Sequence, residues 1–194
     1  MGLLSGAVPP VPQLVLKEVK SMRSLVLGAL LTAGLALPAT ATAPASAAPT
    51  QAAPATYTHA EAARQFRAQH VSWSSTGRCD NRGDSSCTSF TGIRRTTVAG
   101  VIALKRASGC AVTVTAGTEK GHSRKGSYRH DNGYKVDLHP TACLNSYVRK
   151  HFRASGFRKD DHAALYRSPH SNTYAYEKSK KGVHWDVTYL NGSA

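Results

Sequence analysis

Tyr134-Lys135-Val136-Asp137-Leu138 alternates apolar and polar side chains, the period-two pattern of a strand with one buried face. It follows His130-Asp131-Asn132-Gly133, which ends a loop and whose glycine lets the chain turn tightly. Upstream, Cys110-Ala111-Val112-Thr113-Val114-Thr115 is β-branched and alternating, so an earlier strand is expected there. Downstream, similar patterns predict strands over about 164–167, 173–177 and 183–189. Thr58-His59-Ala60-Glu61 reads as a capping box that opens a helix over about 59–70. A second helix fits about 94–108, with Val98, Val101, Ile102 and Leu104 on its apolar side and Gly109 as a stop. Pro140 and Thr141 open a third helix that runs to about 152, whereas the Ser-, Gly-, Asp- and Asn-rich segment 71–90 reads as loop. Helices precede a cluster of strands. The expected class is α+β: N-terminal helices packed on a small, mostly antiparallel sheet.

The 194 residues carry a formal charge of +14, and their 41% hydrophobic content suffices for one cored domain. Lys17, Lys20 and Arg23 flank an apolar run over 25–37, and Ala45-Ser46-Ala47 fits a small-x-small cleavage rule. That run is short for a bilayer span, so 1–47 reads as a secretory signal peptide, with Met22 an alternative start. Residues 48–56 then form a flexible leader, and 57–194 a single domain. Removing 1–47 takes away only Lys17, Lys20, Arg23 and Glu18, so the remainder stays strongly cationic. Such charge favours polyanions, and outside a cell the anionic polymers of a bacterial wall are nearest. No aromatic-interleaved basic motif points to nucleic acid. The expected product is a secreted or wall-associated monomer, free of the membrane after processing.

All four cysteines follow the leader, and an even count in an oxidising compartment implies two disulfides. Of three pairings, Cys79–Cys87 closes a polar loop and Cys110–Cys143 ties a strand to a later helix. No C-x-x-C spacing supports a cysteine zinc site.

Of nine histidines, His59, His70, His139, His151, His162 and His170 fall in helix ends or polar loops and read as exposed or capping residues. His122, His130 and His184 each adjoin a strand that can aim them at one point. His130 and Asp137 combine imidazole with carboxylate, a donor set suited to Zn²⁺. His184, in Gly182-Val183-His184-Trp185-Asp186, shares a strand face with Asp186 and supplies a third ligand. Trp185 points the other way, into the core.

The pattern H-x-x-G-x-x-x-D over 130–137, with a late strand histidine, resembles the zinc peptidases that include D-alanyl-D-alanine metallopeptidases, lysostaphin-type enzymes and the hedgehog domain. The resemblance spans roughly 112–189. It implies zinc held by His130, Asp137 and His184, and an acidic base that takes a proton from the attacking water. In the D-Ala-D-Ala branch that base lies three residues before the last histidine, where this chain has Lys181. Glu177 resembles the hedgehog placement and leads as base; Asp186 is the alternative, or else orients a ligand. The branch's oxyanion-stabilising arginine has Thr118-Glu119 at its nearest counterpart, leaving His122, Arg129 or Arg95 as substitute donors. Glu119 reads equally well as a functional group or a loop-stabilising carboxylate, and Lys178, Lys180 and Lys181 as a solvated turn.

The function expected from these readings is zinc-dependent hydrolysis of peptide bonds in peptidoglycan stem peptides. The alternatives are a non-catalytic zinc-containing wall-binding module and a basic wall- or nucleic-acid-associated protein.

Overall fold

The computed structural model describes residues 55–179 and 182–194; the expected signal peptide, and Lys180 and Lys181, lie outside the described residues. The described residues are α+β, with three α-helices, a seven-stranded sheet and a two-stranded one among them. Strand β1 (Thr56–Tyr57) pairs antiparallel with β3 (Ile93–Arg94), so Thr56, expected in the flexible leader, belongs to the fold.

Helix α1 (His59–Ala68) starts at the expected capping box. The Glu61 amide donates to Thr58 Oγ1, and the Thr58 amide donates to the Glu61 carboxylate. It ends two residues early, because His70 turns into the left-handed region at φ 54° and the Val71 amide reaches back to the Phe66 carbonyl. Helix α2 (Arg95–Ser108) stops at Gly109, whose φ of 66° suits glycine. A Cβ on Gly100 would lie 2.1 Å from the Tyr189 ring, so glycine lets α2 pack directly on that ring. Helix α3 (Ala142–His151) is capped by Thr141, which accepts from the Leu144 amide.

The large sheet comprises β2 (Ser72–Trp73), β4 (Thr113–Ala116), β5 (Lys135–Leu138), β6 (Arg153–Arg158), β7 (Ala163–Arg167), β8 (Thr173–Ser179) and β9 (Gly182–Thr188). Its order is β2-β4-β5-β9-β8-β7-β6, and only β2 and β4 run parallel. Three details correct the sequence reading. The strand expected from Cys110 begins at Thr113; β2 lies within the expected loop; and β6, not foreseen, forms the far edge.

One face of the sheet is apolar. Val136 and Leu138 of β5, Tyr174 of β8, and Trp185 and Val187 of β9 join Phe66 of α1, Val98, Val101 and Leu104 of α2 and Leu144 and Val148 of α3 in one buried cluster. Trp185 is fully buried, as expected, and its indole N–H donates to Asn145 Oδ1 at 2.8 Å. Alternation therefore turns Lys135, Asp137, His184 and Asp186 to the opposite face. Register completes the arrangement, since Asp137 lies opposite Asp186, and Glu177 opposite His184.

Both expected disulfides are present, Cys79–Cys87 and Cys110–Cys143, and no cysteine is free. They suit an extracellular or otherwise oxidising environment. No helix among the described residues is long and apolar enough to cross a membrane.

Candidate metal centre

Two carboxylates placed directly opposite on neighbouring strands repel each other, and Asp137 and Asp186 are both buried. Positive groups surround them. His130 Nε2 lies 3.3 Å from Asp137 Oδ1 and 3.7 Å from Asp186 Oδ1, and Lys135 Nζ donates to Asp186 Oδ2. Even so, Asp137 Oδ1 and Asp186 Oδ1 are buried with no hydrogen-bond partner among the described residues. A buried carboxylate oxygen without a hydrogen-bond partner is a place for an ion or a water.

The loop before β5 delivers His130. Gly133 makes the turn at φ 79°, and a Cβ there would lie 2.4 Å from the Gly92 carbonyl. The Gly133 carbonyl accepts from Thr97 Oγ1 and the Arg94 amide, which clamps the loop to α2 and β3. His130 Nδ1 donates to the Gly117 carbonyl at 2.7 Å, so Nε2 is the nitrogen left facing the carboxylates. His122 stacks on His130 with ring centroids 3.8 Å apart. His122, His130 and Asp137 offer ligand atoms all within 4.8 Å of one another, a group that could hold a metal ion.

His184 approaches from the other side of Asp137, with Nε2 3.7 Å from Oδ2, and its Nε2 is 3.2 Å from Glu177 Oε2. The structure thus brings His122, His130, Asp137, Glu177, His184 and Asp186 together, with His122 rather than His184 inside the compact group. Arg95, expected as a substitute oxyanion donor, lies over the Tyr57 ring instead and lines neither cleft of the centre. Among the six histidines expected at the surface, His59 departs. It stacks on Phe90 and its Nδ1 accepts from the Phe90 amide.

Arg158 was not foreseen. Its guanidinium reaches Glu177, Asp161 and Asp186 at once, from the last position of β6. Nothing in Arg153-Ala-Ser-Gly-Phe-Arg158 signals this, because the strand is exposed almost throughout and shows no apolar alternation.

The electrostatics follow from this crowding. Burial opposes charge on His130, but Asp137 and Asp186 override it and raise its pKa to about 10. Burial likewise pushes Asp186 up, yet His130 and Lys135 hold it well below the ordinary carboxylate range. Glu177 goes the other way: burial raises it despite the hydrogen bond to His184. His184 is also raised, as its carboxylate neighbours outweigh burial. The centre is built to keep a positive charge among its carboxylates, and a metal ion can take the place of the proton on His130.

Two clefts, of about 720 and about 380 Å³, meet at the centre. His122, Asp137, Glu177 and His184 line both. Hydroxyls of Ser74, Ser86 and Thr115 line the larger, and Lys125 and Arg129 the smaller. Compared with protein-family models, curated proteins and solved structures, the chain matches none.

Proposed function

We propose that the chain is a secreted zinc-dependent peptidase acting on peptidoglycan stem peptides. One observation carries the reading: a buried Asp137 oxygen with no hydrogen-bond partner among the described residues, 3.3 Å from His130 Nε2, in a centre that opens onto two clefts. The resemblance of 130–137 and His184 to the zinc peptidases named above points to the same chemistry. His130 and Asp137 would hold the ion in either arrangement; the motif adds His184 and the compact geometry adds His122. Bound zinc supplies a Lewis acid for the scissile carbonyl and makes a water more acidic.

The protein's own groups do the rest. Glu177 stands on the wall of both clefts, beside His184, where a carboxylate can accept a proton from water and return it to the leaving amine. Asp186 is committed to Lys135 and His130, which suits it to orienting rather than to proton transfer. The hydroxyls of the larger cleft can bind an extended peptide backbone, and Lys125 and Arg129 attract a carboxylate-bearing stem.

The test is metal analysis combined with turnover. Purified protein should hold about one zinc per chain. It should release new amino groups from purified peptidoglycan, lose this activity to chelator and regain it with Zn²⁺. Absence of zinc uptake overturns the reading. Zinc uptake and wall binding without turnover would make the chain a binding module instead.

A further inference from the structure

Glu119 is a buried carboxylate outside the expected ligand set, only 3% exposed. Its Oε2 accepts from the Ser89 amide at 2.8 Å, and both oxygens lie 3.0 Å from the Gly117 amide. Its Oε1 is also 3.1 Å from His122 Nε2. A carboxylate in this setting is an acceptor, so the ring N–H at that contact belongs to His122 Nε2. A neutral imidazole with its proton on Nε2 keeps its lone pair on Nδ1.

The same turn governs His130. Gly117 donates its amide to Glu119 and accepts from His130 Nδ1 with its carbonyl, which leaves Nε2 as the free nitrogen of that ring. The turn is fixed in place: the Thr118 amide donates to the Ser89 carbonyl at 2.7 Å, and a Cβ on Gly117 would lie 2.1 Å from that oxygen. One turn therefore engages opposite ring nitrogens in two stacked histidines, His122 through the Glu119 carboxylate and His130 through the Gly117 carbonyl.

We infer that Glu119 is a positioning residue of the metal centre, holding His122 by Nε2 so that the ring binds the ion through Nδ1. This rests on the metal-centre reading above, but its test separates the two. A carboxylate behind a ligating histidine fixes the ring and raises its basicity, and losing it weakens metal binding by about ten- to a hundredfold. A carboxylate that serves only the loop would act through the Ser89 and Gly117 amides and be indifferent to His122.

The experiment is a cycle of zinc affinities, measured by competition with a chromophoric chelator, for wild type, Glu119→Gln, His122→Ala and the double variant. Glu119→Gln should weaken zinc about ten- to a hundredfold in the wild-type background and much less once His122 is gone. Histidine nitrogen NMR of the zinc-loaded wild type should show His122 protonated at Nε2 and metal-shifted at Nδ1. Equal weakening in both backgrounds overturns the inference, as does zinc on His122 Nε2 or a His122 without metal. The wild-type spectrum decides the matter even if Glu119→Gln does not fold. A wild type that takes up no zinc defeats the metal reading and this inference together, whereas zinc bound without His122 defeats this inference alone.

Discussion

Glu177 and Asp186 face the same centre from neighbouring strands, yet their surroundings give them different work. Glu177 touches His184 and Arg158 and lines both clefts, so a water beside it has a route in and out. Asp186 is buried between Lys135 and His130, and removing its charge strands a lysine. Glu177→Gln should keep its zinc and lose about a hundredfold or more in rate, the scale of general base catalysis. Asp186→Asn should instead lose zinc affinity. Measuring occupancy and rate together on both variants checks this, and full activity in Glu177→Gln would place the base elsewhere. At this scale the sequence is informative where function follows local spacing. His130 and Asp137 straddle one tight turn and strand, so their meeting is legible from the eight residues 130–137. Arg158 and Glu119 are not legible in the same way, because their roles depend on distant partners: Glu177 and Asp186 for one, the Ser89 and Gly117 amides for the other.

Helix α1 shows what pattern reading captures in an element and what it leaves out. Its start is written in Thr58 and Glu61, and its packing in Ala62, Ala63 and Phe66. That His59 turns inward follows from Phe90, thirty-one residues away, and no periodicity encodes it. Strands β2 and β6 escape for a related reason. A two-residue strand has no period, and an exposed edge strand has no apolar face to betray it. The inward turn of His59 has a pH consequence. Burial lowers its pKa, despite Asp80 nearby, and its Nδ1 must be unprotonated to accept from the Phe90 amide. The unfolded chain, at the ordinary value of 6.5, then binds more protons than the folded one. The contribution of His59 is present above that value and is lost as pH falls through the lower folded value. Melting temperatures of wild type and His59→Gln should diverge at neutral pH and converge toward acid. A gap that widens on acidification would reverse the assignment.

Across the whole molecule, the two disulfides have separate consequences because they close different spans. Cys110–Cys143 joins the segment entering β4 to α3 over a sequence separation of 33, whereas Cys79–Cys87 spans 8. In the chain-entropy picture these constrain the unfolded state by about 3.7 and about 2.5 kcal/mol respectively. The long bridge also anchors α3, whose Leu144 and Val148 pack in the same cluster as Val136 of β5 and Trp185 of β9. The short bridge lies beside the larger cleft, where Cys87 itself lines the wall with Ser86 and Thr88. Replacing Cys110 and Cys143 by Ala should therefore give the larger loss of stability in denaturant unfolding, with zinc affinity retained by the folded fraction. Replacing Cys79 and Cys87 should cost less stability and instead loosen the cleft wall, raising KM for peptidoglycan fragments while leaving zinc content unchanged. An unchanged KM in that second variant would mean that the Ser86–Thr88 wall does not touch substrate. A larger destabilisation from the short bridge than from the long one would show that native packing around the polar loop, rather than chain entropy, sets the contribution of each crosslink.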